Sequence, residues 1–333
     1  MSQLLFFFSN LGTCWFFYLY LEINIIKMKI LAIISSFFLV SSFCAQHVNF
    51  NSQKNWSLNK KELQFGIGAT QFNGDLGGGP TEGIDNSPKD IDWKSTGISG
   101  MIGFRYRFHP LFSTTSSLSF STLKGDDKYS EETVRKERNL HFKSGVVHFQ
   151  QKLEFIVFSK EQFSPTYNSP GAQSVKNRNQ QYYIFGGLGV AYHNPKALYN
   201  GDWVALRPLM TEGQDKAYSP FVLTIPAGIG FRMGISKMWR IGMEVSYVKT
   251  FTDYMDDVST VYADPANLSP IAAAVADGSG GNPGYSAGYK RGDSKDKDAF
   301  YHLNIVITRN ITYKDYGRQR SKSISKSSGK YKV

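Results

Sequence analysis

Residues 98–121 read ISGMIGFRYRFHPLFSTTSSLSFS. Up to Phe108, one phase carries Ile98, Ile102, Phe104, Tyr106 and Phe108, and the other carries Ser99, Gly103, Arg105 and Arg107. His109–Leu111 interrupt the pattern, which resumes with Phe112, Leu118 and Phe120 set against Ser113, Thr115, Ser117, Ser119 and Ser121. Successive side chains of a strand point to opposite faces, so a period of two marks a strand whose faces differ in chemistry. Two such strands joined by a tight turn make an antiparallel hairpin. One face of this hairpin is crowded with large apolar groups; the other holds hydroxyls, glycine and arginine.

The alternation recurs on both sides, for eight strands in all. Upstream, Leu63, Phe65, Ile67 and Ala69 oppose Gln64, Gly66, Gly68 and Thr70. Downstream, Tyr182, Ile184, Leu188 and Val190 oppose Gly187, Gly189 and Ala191, and Phe221, Leu223, Ile225, Ile229 and Phe231 oppose Thr224, Gly228, Gly230 and Arg232. Ile241, Met243, Val245 and Tyr247 oppose Arg240, Gly242, Glu244 and Ser246; Tyr301, Leu303, Ile305 and Ile307 oppose His302, Asn304 and Thr308. The segment Leu140 to Phe158 slips phase. Leu140, Phe142 and Val146 are even-numbered, whereas Phe149, Leu153, Phe155 and Val157 are odd. One extra residue exchanges the faces of a strand, so a β-bulge is expected near Val147. Pro226 has no N–H, and a bulge or a missing ladder bond is expected there.

Composition fits this pattern. The chain holds 19 Tyr, 25 Phe and 31 Gly, a mix suited to many strands and glycine turns rather than to helices. Mean hydropathy is slightly negative, which excludes a bundle of membrane helices but not a barrel, where only alternate residues meet lipid. A soluble β-sandwich or lipocalin-like barrel would turn its apolar face inward. Against it stand the charges on the polar faces: Arg105, Arg107, Lys152, Glu154, Arg232, Arg240 and Glu244. Large residues facing lipid, with small or paired charged residues filling a narrow lumen, fit an eight-stranded antiparallel transmembrane barrel. The connections agree. His109–Leu111 and Gly234–Lys237 are short, while 74–94, 124–137, 194–217 and 253–296 are long, as expected of periplasmic turns and extracellular loops. The long segment 159–179 is the exception on the periplasmic side.

The N-terminal region reads as export machinery. Lys27 and Lys29 precede an apolar run from Ile30 to Val40, then a small-residue exit from Ser41 to Ala45. That makes 28–45 a signal peptide, cleaved between Ala45 and Gln46, and 1–27 an extension upstream of a start at Met28. Both cysteines, Cys14 and Cys44, fall in this leader, so no disulfide, thiolate nucleophile or cysteine metal site is expected afterwards. Residues 46–60 form an N-terminal periplasmic segment and 61–311 the barrel. Residues 312–333 form a basic tail, with Lys314, Arg318, Arg320, Lys322, Lys326, Lys330 and Lys332 against Asp315 alone, expected to be disordered.

Five stretches resemble one family: GATQFNGDLGG (68–78), GFRYRFHPLFSTTSSLSFSTLKGDD (103–127), RNLHFKS (138–144), TFTDYMDDVSTVYADP (250–265) and RGDSKDKDAFYHLNI (291–305). Together they resemble the PorG-like (DUF6089) outer-membrane proteins, and TFTDYMDDVST is the most specific piece. The resemblance implies an eight-stranded outer-membrane barrel. It also implies a role in the type IX secretion machinery, in contact with periplasmic ring components. Residues 1–27 and the tail lie outside it.

Candidate sites are few. Asp253, Tyr254, Asp256 and Asp257 form the densest polar cluster, with carboxylates spaced as if for Ca²⁺, but no twelve-residue calcium loop surrounds them. A loop-folding role is favoured, capping Lys249, Arg291 or backbone amides. Gly74, Asp75, Leu76 and Gly77–Gly79 suggest turn geometry, since no Lys-Ser/Thr follows as in a phosphate loop. His141, His148 and His302 are scattered without metal spacing. No G-x-S-x-G elbow supports a hydrolase. No catalytic group, cofactor, metal or nucleic-acid partner is therefore expected. The expected partners are outer-membrane lipid and type IX ring components, the latter through Arg318, Arg320, Lys322 and Lys326 of the tail. Two functions stay open: a structural or docking component of an envelope machine, and a small porin.

Overall fold

The computed structural model describes residue 56 and residues 60–76, 93–130, 132–160, 180–235 and 238–311. The leader, residues 161–179 and the tail lie outside the described residues, as do most of 46–60 and Gly77–Gly79.

Among the described residues nine strands follow one another: β1 (Lys61–Asn73), β2 (Gly97–Arg107), β3 (Phe112–Asp126), β4 (His141–Lys160), β5 (Gln180–Tyr199), β6 (Asp202–Ala205), β7 (Phe221–Gly234), β8 (Trp239–Thr250) and β9 (Ala299–Asn310). Two short helices sit in the long connections, α1 (Thr133–Arg138) and α2 (Pro270–Ala276). Eight strands form a closed antiparallel ring in the order β4-β3-β2-β1-β9-β8-β7-β5, and β4 pairs with β5 to complete it. The first and last strands meet directly, with Phe65 opposite Ile307 and Ile67 opposite Ile305. The ninth strand, β6, pairs only with Lys196–Tyr199 of β5 and stands outside the ring. Its turn is Asn200-Gly201, both at positive φ, 50° and 93°. That dipeptide suits a two-residue hairpin because its backbone twist matches that of the flanking strands.

The faces are divided as the alternation implies. Ile67, Ile98 and Leu188 point outward and are 72%, 73% and 70% exposed, while Arg105 and Glu154 point inward and are 0% exposed. This inverts the usual burial order of a protein in water. Outward polar groups satisfy one another: the Gln151 amide donates to Thr114 Oγ1 and accepts from Ser116 Oγ, each at 2.5 Å. Inward glycines leave room for aromatic rings. A Cβ on Gly230 would lie 2.1 Å from the Tyr183 ring, which covers it from the neighbouring strand.

Two backbone expectations are corrected or refined. No bulge occurs near Val147: the β3–β4 register runs without a shift from Phe112↔Phe155 to Asp126↔His141. Even-numbered residues of β4 point inward from Phe142 to Ile156, so Phe142 and Val146 are apolar residues inside the ring. The irregularity lies at Ile156/Phe158 in the pairing with β5, where Val157 and Phe158 both face out. At Pro226 the ladder bond is indeed missing. Pairing of β5 with β7 stops between Gly186↔Ala227 and Gly189↔Thr224 and resumes in the same register.

Candidate functional site

The interior is built in three levels from the short-turn end upward. The lowest is ionic. Arg105 of β2 donates from Nη1 to Glu62 Oε2 at 2.6 Å, from Nε to Glu154 Oε2 at 2.7 Å and from Nη2 to Ser113 Oγ at 2.6 Å. Glu154 of β4 also accepts from Thr115 Oγ1 at 2.6 Å and from Arg232 Nη2 at 2.8 Å. Arg232 and Arg240 approach Glu62 at 3.7 and 3.4 Å. Across the lumen Lys152 pairs with Glu244, which also accepts from the Tyr183 hydroxyl at 3.1 Å. The Arg232 guanidinium lies 3.9 Å from the centre of the Tyr183 ring. Arg107 turns away toward the mouth, donating to the Pro110 carbonyl at 2.5 Å and lying 5.9 Å from the Trp56 ring. A buried ion is tolerable only when paired and hydrogen-bonded, and this arrangement supplies both to Arg105, Glu154 and Lys152.

Above it lies a neutral polar level, in which Ser99 Oγ donates to Asn304 Oδ1 at 2.6 Å and His148 Nε2 meets Thr224 Oγ1 at 2.9 Å. The third level is apolar. Phe72, Leu123, Phe142, Val146, Val248 and Phe300 converge inside the ring at its long-loop end, with Phe72 and Phe142 edge to face at 4.8 Å. The loop residues Leu76, Met255, Val258 and Val275 join this cluster from above and roof the barrel.

Polar contacts lock the roof. Arg138, at the end of α1, forms a bidentate pair with Asp127 at 2.7 and 3.0 Å, and donates to the carbonyls of Asp75 and Arg291 at 2.6 and 2.8 Å. Arg291 donates to Glu212 Oε1 at 3.0 Å and to the Asp257 carbonyl at 2.6 Å. Glu212 in turn accepts the Ser259 and Thr260 amides at 2.8 and 3.2 Å.

The sequence-derived loop residues are all here. Asp256 accepts from the amides of Leu76 and Val258, both at 3.0 Å. Asp257, at φ +71°, accepts from Thr211 Oγ1 at 2.5 Å and the Tyr218 hydroxyl at 2.8 Å. Tyr254 stacks on Tyr218 at 4.9 Å and donates to Glu212 at 3.3 Å. Asp253 is buried beside them. The Lys249 Nζ donates to the Lys297 carbonyl. Glu62, Glu212, Arg138 and Asp298 were missed. Glu62 was detectable, since the polar face of β1 extended back from Gln64 reaches it. The other three come from connections without periodicity. Arg318, Arg320, Lys322 and Lys326 lie outside the described residues.

Burial sets the chemistry of the roof. It pushes the Asp257 carboxyl up to about 6 and that of Asp253 up to about 7, with Asp75 adding repulsion at Asp253. Burial and mutual repulsion hold Asp256 and Asp298 well above the carboxylate range. The closed roof therefore keeps protons that an open loop releases near pH 4. From about pH 4 to about pH 7 the closed form binds more protons, so closure weakens as pH rises through that window. Amide hydrogen exchange over 253–298, corrected for intrinsic rates, should show a smaller opening free energy at pH 8 than at pH 5, by about 1.4 kcal/mol for each pH unit over which a proton is retained by the closed form alone. Asp253→Asn should lessen that dependence without abolishing it, since Asp256, Asp257 and Asp298 keep their raised carboxyls. Equal or greater protection at pH 8 would contradict this account.

Among the described residues no group of three or more His, Cys, Asp or Glu side chains is placed to hold a metal ion.

Comparison with solved structures gives several small barrels. The chain is similar to Neisserial surface protein A (8% identity, 75% of this chain and 97% of that one, TM-score 0.33). It is also similar to the outer membrane protein OprG from Pseudomonas aeruginosa (11%, 75% and 96%, TM-score 0.34). A third is Ail, the attachment invasion locus protein of Yersinia pestis (11%, 75% and 99%, TM-score 0.31). No curated protein matches the chain. Residues 44–268 match the family described as a domain of unknown function, DUF6089, which covers the ring through β8 and the first part of the roof. With more than half of its length inside that match, the chain belongs to the DUF6089 family.

Proposed function

We propose that this protein is a non-enzymatic barrel of the outer membrane that seals its own lumen and acts as a structural or docking component of an envelope machine. The sealed interior carries the reading. An ion-paired level, a polar level and an apolar level fill the ring in succession, and the roof residues pack on the last. An eight-stranded ring has little interior room to begin with. The apolar outer surface supports burial in lipid, and the short-turn end then faces the periplasm.

The resemblance around residues 250–260 narrows the machine to type IX protein secretion, with periplasmic ring components as partners. In this reading the basic tail, including Arg318, Arg320, Lys322 and Lys326, emerges beside those components and docks an acidic surface through long-range attraction. Planar-bilayer recording of the purified full chain tests the sealed lumen. Steady open current at moderate voltage would overturn it in favour of a small porin; silence is the expected result. Crosslinking and pull-down from native outer membranes, with and without truncation after Thr312, tests the docking role. Undiminished recovery of every partner from the truncated protein would remove the tail from it.

A further inference from the structure

Three lysines stand in line across the outer wall. Lys124 of β3 lies directly opposite Lys143 of β4, which lies directly opposite Lys196 of β5. Adjacent strands are only about 4.8 Å apart, and like charges facing each other across them are destabilising. Among the described residues no ion pair joins any of the three to a carboxylate. Asp126, two residues beyond Lys124, is engaged by Lys128 at 2.6 Å. Lys124 and Lys143 line an open cleft of about 550 Å³ whose walls include Tyr129, His141 and Trp203. Lys94 and Lys128 stand over the Tyr129 ring at 5.1 and 4.7 Å, and Lys143 over the Trp203 ring at 5.6 Å.

Position decides the occupant. On β3 the outward series climbs from Phe120 through Thr122 to Lys124; on β5 it climbs from Tyr192 through Asn194 to Lys196. Each lysine thus stands a few residues above the apolar band, at the long-loop end, where headgroups meet the barrel at about 3.3 Å per residue. Near the long-loop end of β8 and β9 the outward residues are Tyr247 and Tyr301, with ring centres 5.1 Å apart, and Lys249, whose Nζ donates to the Lys297 carbonyl.

We propose that this face binds the phosphorylated saccharide headgroup of an outer-leaflet glycolipid. Phosphate oxygens bridge Lys124, Lys143 and Lys196, sugar faces rest on Trp203 and Tyr129, and the acyl chains run down the apolar wall below. A soluble anionic polysaccharide offers the same charge but has no use for a site continuous with the hydrocarbon band. The inference rests on the outer-membrane reading and its orientation.

The test titrates the full-length barrel in detergent with bisphosphorylated lipid A, with dephosphorylated lipid A, and with the phosphorylated saccharide lacking acyl chains. Native mass spectrometry and tryptophan fluorescence report binding. The wild type should prefer the bisphosphorylated lipid. Combined Lys124→Gln, Lys143→Gln and Lys196→Gln should weaken it on the order of 100-fold, and wild-type binding should weaken with added salt. The corresponding triple substitution to Arg should retain binding. A Gln variant that keeps the heat-modifiable gel mobility of a folded barrel and still binds lipid A at wild-type strength would overturn the proposal. Equal affinity for the deacylated saccharide would overturn it in favour of a soluble polysaccharide. Membrane fractionation is scored separately: binding by a protein absent from the outer membrane would support the site and sink the location.

Discussion

Glu154→Leu should cost the barrel about 3–5 kcal/mol, the usual penalty for removing one partner of a buried ion pair. The Glu154 carboxylate receives bonds from Arg105, Ser113, Thr115 and Arg232 at 2.6–2.9 Å. Leucine leaves the guanidinium groups of Arg105 and Arg232, 0% and 2% exposed, without the carboxylate between them. Glu154→Gln keeps the shape and part of the hydrogen bonding, so its loss should fall between wild type and leucine. Urea unfolding in lipid, followed by tryptophan fluorescence and heat-modifiable mobility, gives the order. A leucine variant as stable as the wild type would mean that the ionic level contributes nothing to holding the ring.

Ile305→Arg should cost about 2–4 kcal/mol, because Ile305 lies mid-strand on β9 and faces outward. Tyr301→Arg, near the long-loop edge of the same face, should cost only about 0–1 kcal/mol. That depth gradient is the signature of hydrocarbon, and equal losses at the two positions would exclude it. Asn304→Arg serves as the inward control. Asn304 Oδ1 lies 2.4 Å from where a Cβ on Gly68 would stand, so arginine meets crowding there rather than lipid. Its defect should be insensitive to bilayer thickness, whereas that of Ile305→Arg should follow it.

Strand number, faces and the position of the short turns were legible because each follows from a period of two. What escaped was a change of environment along the strand. Phe72, Leu123, Phe142, Val146 and Phe300 all occupy the inward phase, and all lie toward the long-loop ends. Taken one strand at a time, Phe142 and Val146 imitate a bulge; taken together, the five mark one level at which the lumen turns from polar to apolar. The hairpin of β5 and β6 escaped for a different reason. Asn200-Gly201 is a strong turn signal, but it sits inside a connection judged only by its length. The lumen charges and their tendency to pair were readable from phase, while the choice of partners was not, because Glu62 meets Arg232 and Arg240 from strands distant in sequence. The aspartates of residues 253–257 stood out by density alone; Glu212 and Arg291, which organise them, belong to different loops.

The seam between β1 and β9 has a consequence for how the chain reaches this state. The edge of β1 left open by β2 is matched by β9, and the Glu62 carboxylate on β1, already held by Arg105 of β2, gains Arg232 and Arg240 from β7 and β8. Until the last strand is made, a nascent ring carries two unpaired edges, which are templates for aggregation. Closing so long a loop makes contact order high, so joining the two ends is the slow step of assembly. A chaperone that shields the edge of β1 should therefore speed the yield of folded barrel more than one that binds any interior hairpin.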